Sequence, residues 1–145
     1  MIPINELRYG SWVEYDGKGC LVCEIDGGSE SVCLYHESFR RAEDVPISRI
    51  FPIPLTPEVL EKCGFVRGTT VEEGEVMQDG DSEFWDLTLP HSPKEFTRNR
   101  MCLVKGFGDD GFTYSSQHAR VAVDSIHTLQ NLYFALSGKE LDYTP

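Results

Sequence analysis

The chain has 145 residues, with 13 Lys and Arg against 24 Asp and Glu, and its formal net charge is −11 at pH 7. A surface with this excess of carboxylates repels phosphate, which argues against binding to nucleic acid and against adsorption to anionic membranes. Hydrophobic residues make up 40% of the chain. Length and composition therefore indicate a folded globular protein with one core.

The first six residues carry neither the basic nor the apolar segment of a secretion signal, and no apolar run is long enough to span a bilayer. We therefore expect a cytoplasmic protein without a membrane segment. The five cysteines are an odd number, and without a secretion signal they are expected to be reduced thiols.

Residues 8–53 have the pattern of short β-strands. The dipeptide Asp16-Gly17 separates two β-prone runs, which predicts a hairpin with a type I′ turn. That turn fixes a register that pairs Tyr15 with Lys18, Val13 with Cys20 and Trp12 with Leu21. Both faces of this hairpin carry apolar residues, so we expect both faces to be covered.

A second turn signal at Asp26-Gly27-Gly28 precedes a strand at Ser31–Tyr35, and a last extended piece is predicted over Val45–Ile53. Prolines within that last piece restrict it to a sheet edge. Residues 1–54 are thus expected to form a small SH3-like barrel or a curved antiparallel sheet, an expectation about fold that carries no function.

Residues 55–145 are expected to form an α+β subdomain packed on the first. A short helix is predicted after the N-cap Thr56, ending at Gly64, with Phe65 folding back as in a Schellman motif. Seven acidic residues between Gly68 and Pro93 indicate an exposed loop. Further antiparallel strands are predicted at Phe84–Leu89, Met101–Lys105, Phe112–Ser116 and Arg120–Val123.

The last predicted element is a helix from about Ser125 to Ser137, capped by Asp124, stopped by Gly138 and packed on a sheet. Its apolar stripe consists of Ile126, Leu129, Leu132, Tyr133 and Leu136. Three residues fall outside the stripe and form a candidate interaction surface: His127, Asn131 and Phe134. The fold class is α+β.

Three segments of the chain, at residues 7–13, 53–65 and 129–141, carry a resemblance. Their sequences are LRYGSWV, IPLTPEVLEKCGF and LQNLYFALSGKEL, and they resemble a family of small uncharacterised proteins of Bacteroides-type gut bacteria, often associated with phages and mobile elements. Ser11 and Ser137 are mild departures from the family's pattern. The resemblance implies no catalytic residue and no cofactor.

The cysteine pair Cys20 and Cys23 has metal-knuckle spacing, but on a strand residues three apart point to opposite faces, and no second ligand pair follows. Asp79, Asp81 and Glu83 lack the remaining ligands of a calcium loop. The four histidines, at positions 36, 91, 118 and 127, have no metal-ligand spacing. The sequence thus assigns no catalytic, cofactor-binding or metal-ligating residue, and no cofactor.

Two functional hypotheses follow. The first is a non-enzymatic accessory module of a phage or mobile element that binds a protein partner. The alternative is a small hydrolase whose Cys/His or Ser/His site assembles only in the folded chain. Mimicry of nucleic acid by ordered carboxylates is a weaker third hypothesis, because most of the acids lie in one predicted loop.

Overall fold

The structure is a computed structural model that describes residues 2–68, 71–72, 75–76, 83–89, 100–105, 111–115 and 120–145. Its strands are β1 (Trp12–Tyr15), β2 (Lys18–Asp26), β3 (Ser31–His36), β4 (Arg40–Pro46), β5 (Val66–Gly68), β6 (Val71–Glu72), β7 (Glu75–Val76), β8 (Glu83–Thr88), β9 (Arg100–Lys105), β10 (Phe112–Ser115) and β11 (Arg120–Val123). The helices are α1 (Pro57–Lys62) and α2 (Ile126–Ser137), with 3-10 turns at Ile4–Glu6 and Ile47–Arg49. The predicted α+β class is confirmed.

The chain divides into two compact units, one of residues 1–54 with 125–132 and one of residues 55–124 with 133–145. The segment 125–132, assigned from sequence to the C-terminal part, belongs to the first unit. None of the described helices is long and apolar enough to cross a membrane.

The first unit is built on a sheet with the order β1-β2-β3-β4. The hairpin of β1 and β2 has the predicted register, with Tyr15 opposite Lys18 and Trp12 opposite Leu21. Asp16 and Gly17 both have positive φ, at 52° and 71°, as a type I′ turn requires. The local sequence therefore determines this half of the sheet.

The inner face of this sheet forms a continuous apolar core. Alternate residues of β1, β2 and β3 point into it, because side chains on a strand alternate between faces. Its buried members are Ile2, Leu7, Val13, Cys20, Val22, Val32, Leu34, Val45, Ile47 and Ile50.

The sheet is not a closed SH3-like barrel. After the 3-10 turn at Ile47–Arg49, the chain returns to β1 through a single bridge, in which Glu14 and Phe51 exchange two backbone hydrogen bonds of 2.8 and 2.9 Å. The prediction of an extended piece over Val45–Ile53 is wrong as well. The strand instead begins at Arg40 and ends at Pro46, so its charged residues lie on an edge strand, where charge is tolerated.

The second unit contains a sheet with the order β11-β10-β9-β8-β5. The predicted hairpin of β9 and β10 and the added strand β11 are confirmed. Helix α1 has the predicted ends, since Thr56 accepts a hydrogen bond from the Val59 amide and the Phe65 amide donates to the Leu60 carbonyl. The predicted acidic loop at 68–93 lies largely outside the described residues.

Helix α2 buries a different face from the one predicted. Ile126, Leu129 and Tyr133 are buried as expected, but Leu132 is only half-buried and Leu136 is exposed. The buried positions between them are the polar residues His127 and Gln130. The helix also begins at Ile126, so Ser125 rather than Asp124 occupies the capping position, where its amide donates to the Thr128 hydroxyl.

Gln130 explains why the buried face is rotated. Its side chain is 2% exposed, and its amide binds backbone atoms at the start of β1. Nε2 donates to the Gly10 carbonyl at 2.9 Å, and Oε1 accepts from the Trp12 amide at 2.9 Å. Both polar atoms are thus satisfied, as burial of an amide requires.

The neighbouring Asn131 binds the residues that precede β1. Its Nδ2 donates to the Glu6 carbonyl at 2.7 Å, and its Oδ1 accepts from Arg8 Nε at 2.5 Å. Asn131, one of the three residues predicted as an interaction surface, thus has its side-chain amide bound within the chain. We call Gln130 and Asn131 the amide clamp.

Substitution Gln130→Ala tests the clamp. It leaves a backbone donor and a backbone acceptor without their partners, and we expect the free energy of unfolding to fall by about 1 to 3 kcal/mol. Urea denaturation measures this change. Lys139→Gln, at an exposed position just beyond α2, is the control and is expected to change stability by less than about 0.5 kcal/mol. A Gln130→Ala protein as stable as the control would show that the clamp contributes nothing.

Candidate functional site

Two β-bulges meet at Cys33 in the middle of the first sheet. The register between β2 and β3 shifts between Val22 and Glu24, which makes Cys23 an extra residue. The register between β3 and β4 shifts across the same position, and Asp44 there has a positive φ of 52°. Because bulges bend and twist strands, two of them beside one residue indent the sheet at that point.

The indentation is a shallow depression of about 200 Å³, which we call the Cys33 depression. Its walls come from β2, β3 and β4. Its lining includes four carboxylates and one guanidinium, and consists of Glu24, Ile25, Asp26, Ser31, Val32, Cys33, Arg41, Glu43 and Asp44.

The two thiols at this site lie close together. Cys23 Sγ donates to the Cys33 carbonyl at 3.2 Å. The position of Cys33 in the sequence, ten residues beyond Cys23, gives no sign of this contact. The bulge brings Cys23 beside Cys33, and a bulge of this kind leaves no signal in the sequence. Cys20, by contrast, lies in the core on the inner face, so the predicted divergence of Cys20 and Cys23 is confirmed.

Burial determines the chemistry of these thiols. It raises the pKa of Cys33 to about 11, with a further contribution from Cys23. In the other unit, burial and the nearby Asp142 raise the pKa of Cys63 to about 12. Since the thiolate is the nucleophile and the metal ligand, neither cysteine is activated at neutral pH.

Arg41 lies over the Cys33 depression. Its Nη2 is 2.7 Å from Glu24 Oε1, and its Nε is 3.2 Å from Glu43 Oε1. All three side chains are about half exposed or more, so water competes for each of these bonds. Exposed ion pairs of this kind contribute about 0 to 1 kcal/mol each. Arg41 is therefore held in place only weakly.

Beside the depression, one row of side chains crosses the sheet on the face opposite the core. Trp12 pairs with Leu21, Leu21 with Tyr35, and Tyr35 with Arg41. Residues directly opposite on neighbouring strands share a face. We call this surface the outer face. Tyr35 is 46% exposed, while Trp12 and Leu21 are half-buried.

A Ser-His-carboxylate chain also forms in the first unit. Ser125 Oγ lies 3.0 Å from His127 Nδ1, and His127 Nε2 lies 3.0 Å from Glu6 Oε2. Because a carboxylate only accepts, Nε2 donates to Glu6, and the Ser125 hydroxyl is hydrogen-bonded to the other ring nitrogen. Among the hydrogen bonds of the described residues, no other chain joins a serine, a histidine and an acid.

The geometry of this chain suits a structural link better than a nucleophile. Ser125 is only 4% exposed, and its hydroxyl also lies 3.0 Å from Thr128 Oγ1 at the start of α2. A nucleophilic serine must reach a substrate carbonyl, and these contacts occupy Ser125 in capping the helix. His127 and Glu6 thereby join α2 to the 3-10 turn at Ile4–Glu6.

The three residues predicted as an interaction surface have different surroundings. His127 is buried and Asn131 belongs to the amide clamp, whereas Phe134 is 43% exposed. A role for them in binding stays a prediction. Asp79, Asp81, His91 and His118 lie outside the described residues. Within the described part of the chain, no three His, Cys, Asp or Glu side chains are grouped to hold a metal ion.

Comparison of the chain with protein-family models, with curated proteins and with solved structures gives no match.

The state of Cys33 can be tested by alkylation. A pKa of about 11 leaves roughly one thiolate in a thousand at pH 8, against about one in ten at the ordinary value of 9.0. We therefore expect iodoacetamide to modify Cys33 in the native protein at least about 100-fold more slowly than in the same chain unfolded in urea. Peptide mapping by mass spectrometry measures both rates. Equal rates would mean that Cys33 is an accessible, ionisable thiol.

Proposed function

We propose that this protein is a protein-interaction module that binds its partner on the outer face of the first sheet. The resemblance of three of its segments to proteins of phages and mobile elements supports an accessory role in such an element. The observation that carries the proposal is the row Trp12, Leu21 and Tyr35 on the face of the sheet opposite the core, where Tyr35 is 46% exposed.

A row of this composition is unusual on the solvent side of an antiparallel sheet. Such sheets ordinarily alternate apolar residues toward the core with polar residues toward water. Here three consecutive strands each place a large apolar or aromatic side chain outward at the same level. Tyr and Trp are also the residues that dominate binding energy in protein interfaces, because they combine a large apolar area with a polar group.

The fold itself contributes no argument for a particular activity. A four-stranded antiparallel sheet is a scaffold on which many functions occur. The proposal therefore depends on the side chains of the outer face and not on the topology beneath them.

The alternative hydrolase finds less support in the geometry. Its two candidate nucleophiles are Cys33, whose raised pKa keeps it protonated, and Ser125, which is buried in a helix cap. Either group would have to be uncovered or activated before it could attack a substrate. Binding on the outer face needs no such rearrangement.

Panning of a random 12-residue peptide display library against the immobilised full chain tests the proposal. Tyr35→Thr removes the exposed aromatic ring and keeps a residue suited to a strand. We expect the wild-type chain to enrich peptides that Tyr35→Thr fails to retain, with affinity lowered at least about tenfold, as at an interface hot spot.

Val66→Thr is the matched control, because Val66 is an exposed apolar residue on β5, in the other sheet. It is expected to retain the same peptides as the wild type. Thermal melts establish that both variants are folded. If no enriched peptide depends on Tyr35, the outer face is not the binding surface.

A further inference from the structure

We propose that the partner of the outer face is an extended, basic peptide segment, and that Arg41 occupies the place of the partner's basic side chain until it binds. This inference rests on the proposed function, and it names the chemistry of the partner. It combines the apolar row with the charges at one end of that row.

The charges around the Cys33 depression favour a cation. Glu24, Asp26, Glu43 and Asp44 surround it, and Arg41 is the single basic residue in its lining. Hydrogen bonds from Ser29 and Gly28 hold the pKa of Asp26 below its usual range, so this carboxylate stays ionised. The chain as a whole carries a net charge of −11, which attracts a basic partner and steers its approach.

Arg41 shows how a guanidinium fits this place. It bridges Glu24 on β2 and Glu43 on its own strand, with distances of 2.7 and 3.2 Å. Both bonds are exposed and weak, so an incoming Lys or Arg displaces Arg41 with little loss of stability. The displaced side chain is long and half exposed, and it can extend into water.

The row also limits the length and pattern of the segment. Four strands about 4.8 Å apart give a row about 14 Å long, which an extended peptide of four or five residues spans. The apolar part of the row ends at Tyr35, one strand away from Arg41. A segment that crosses the strands therefore places a Lys or Arg within about three residues of its apolar anchor.

The composition of the Tyr35-dependent peptides is the first test. We expect them to be rich in Lys and Arg, with an apolar or aromatic residue within about three positions of a basic one. Tyr35-dependent peptides that are acidic or uncharged would refute the basic partner while leaving the outer face as the binding surface. The absence of any Tyr35-dependent peptide would instead refute the proposed function.

Dissociation constants of one synthetic enriched peptide provide the second test. Glu43→Gln removes a carboxylate that the partner's cation uses, and we expect it to weaken binding about two- to fivefold. Arg41→Gln removes the intramolecular competitor, and we expect it to strengthen binding by a similar factor. Glu61→Gln, at an exposed glutamate of α1, is the charge-matched control and is expected to leave binding unchanged.

The opposite sign of the two effects distinguishes this account from simple apolar docking. If Arg41→Gln weakens binding, Arg41 contacts the partner and does not occupy the place of the partner's basic side chain. If Glu43→Gln has no more effect than Glu61→Gln, the depression does not bind the basic side chain. Either result overturns the inference.

Discussion

The arrangement of the first unit depends on two hydrogen bonds of the Gln130 side chain, which donates to the Gly10 carbonyl and accepts from the Trp12 amide. Strand β1 is the edge of its sheet, and an edge exposes backbone groups that would otherwise pair with another chain. Gln130 binds the two residues that flank Ser11, as one residue of a neighbouring parallel strand would. Further along, Phe51 pairs with Glu14. This edge is thus occupied by the protein's own groups, and strand addition at these positions is blocked.

The other edge of this sheet is β4, whose charged residues disfavour strand addition. The proposed recognition therefore uses the face of the sheet and neither of its edges. The outer face presents side chains instead of backbone groups, so under the proposed function a partner would be selected by shape and charge. The two bulges beside Cys33 add the charge element, because they indent the sheet where carboxylates from β2 and β4 converge. The same curvature buries Cys33 and keeps its thiol protonated. A single local distortion therefore forms the depression to which we assign binding and also keeps the Cys33 thiol unreactive.

Local signals in the sequence predicted the elements whose partners are close in the chain. The Asp16-Gly17 turn determined the register of the first hairpin, and Thr56 with Gly64 determined both ends of α1. The sequence could not reveal interactions between distant residues. In the sequence, Gln130 is only a polar residue within an apolar helix. The backbone carbonyl that its amide binds lies about 120 residues earlier in the chain, so no local pattern indicates the bond. The apolar stripe was accordingly placed too far toward Leu136.

The candidate site was missed for a related reason. The pairing of Trp12 with Leu21 follows from the turn, but Tyr35 and Cys33 join them only through strand pairs whose register shifts at bulges. Each shift changes which residues of the neighbouring strand the following residues pair with, and no residue type in the sequence indicates such a shift. Strand β4 was misplaced because its charges resemble a loop, although an edge strand tolerates them.

The central claim is that the partner binds the outer face of the first sheet. An NMR titration of the isotopically labelled full chain with a peptide selected by the panning tests it most directly. The account predicts that the amide shifts that change most belong to Leu21, Cys33, Tyr35 and Arg41, with little change in α1 and β5. Changes confined to α2, or to strands of the second sheet, would contradict it.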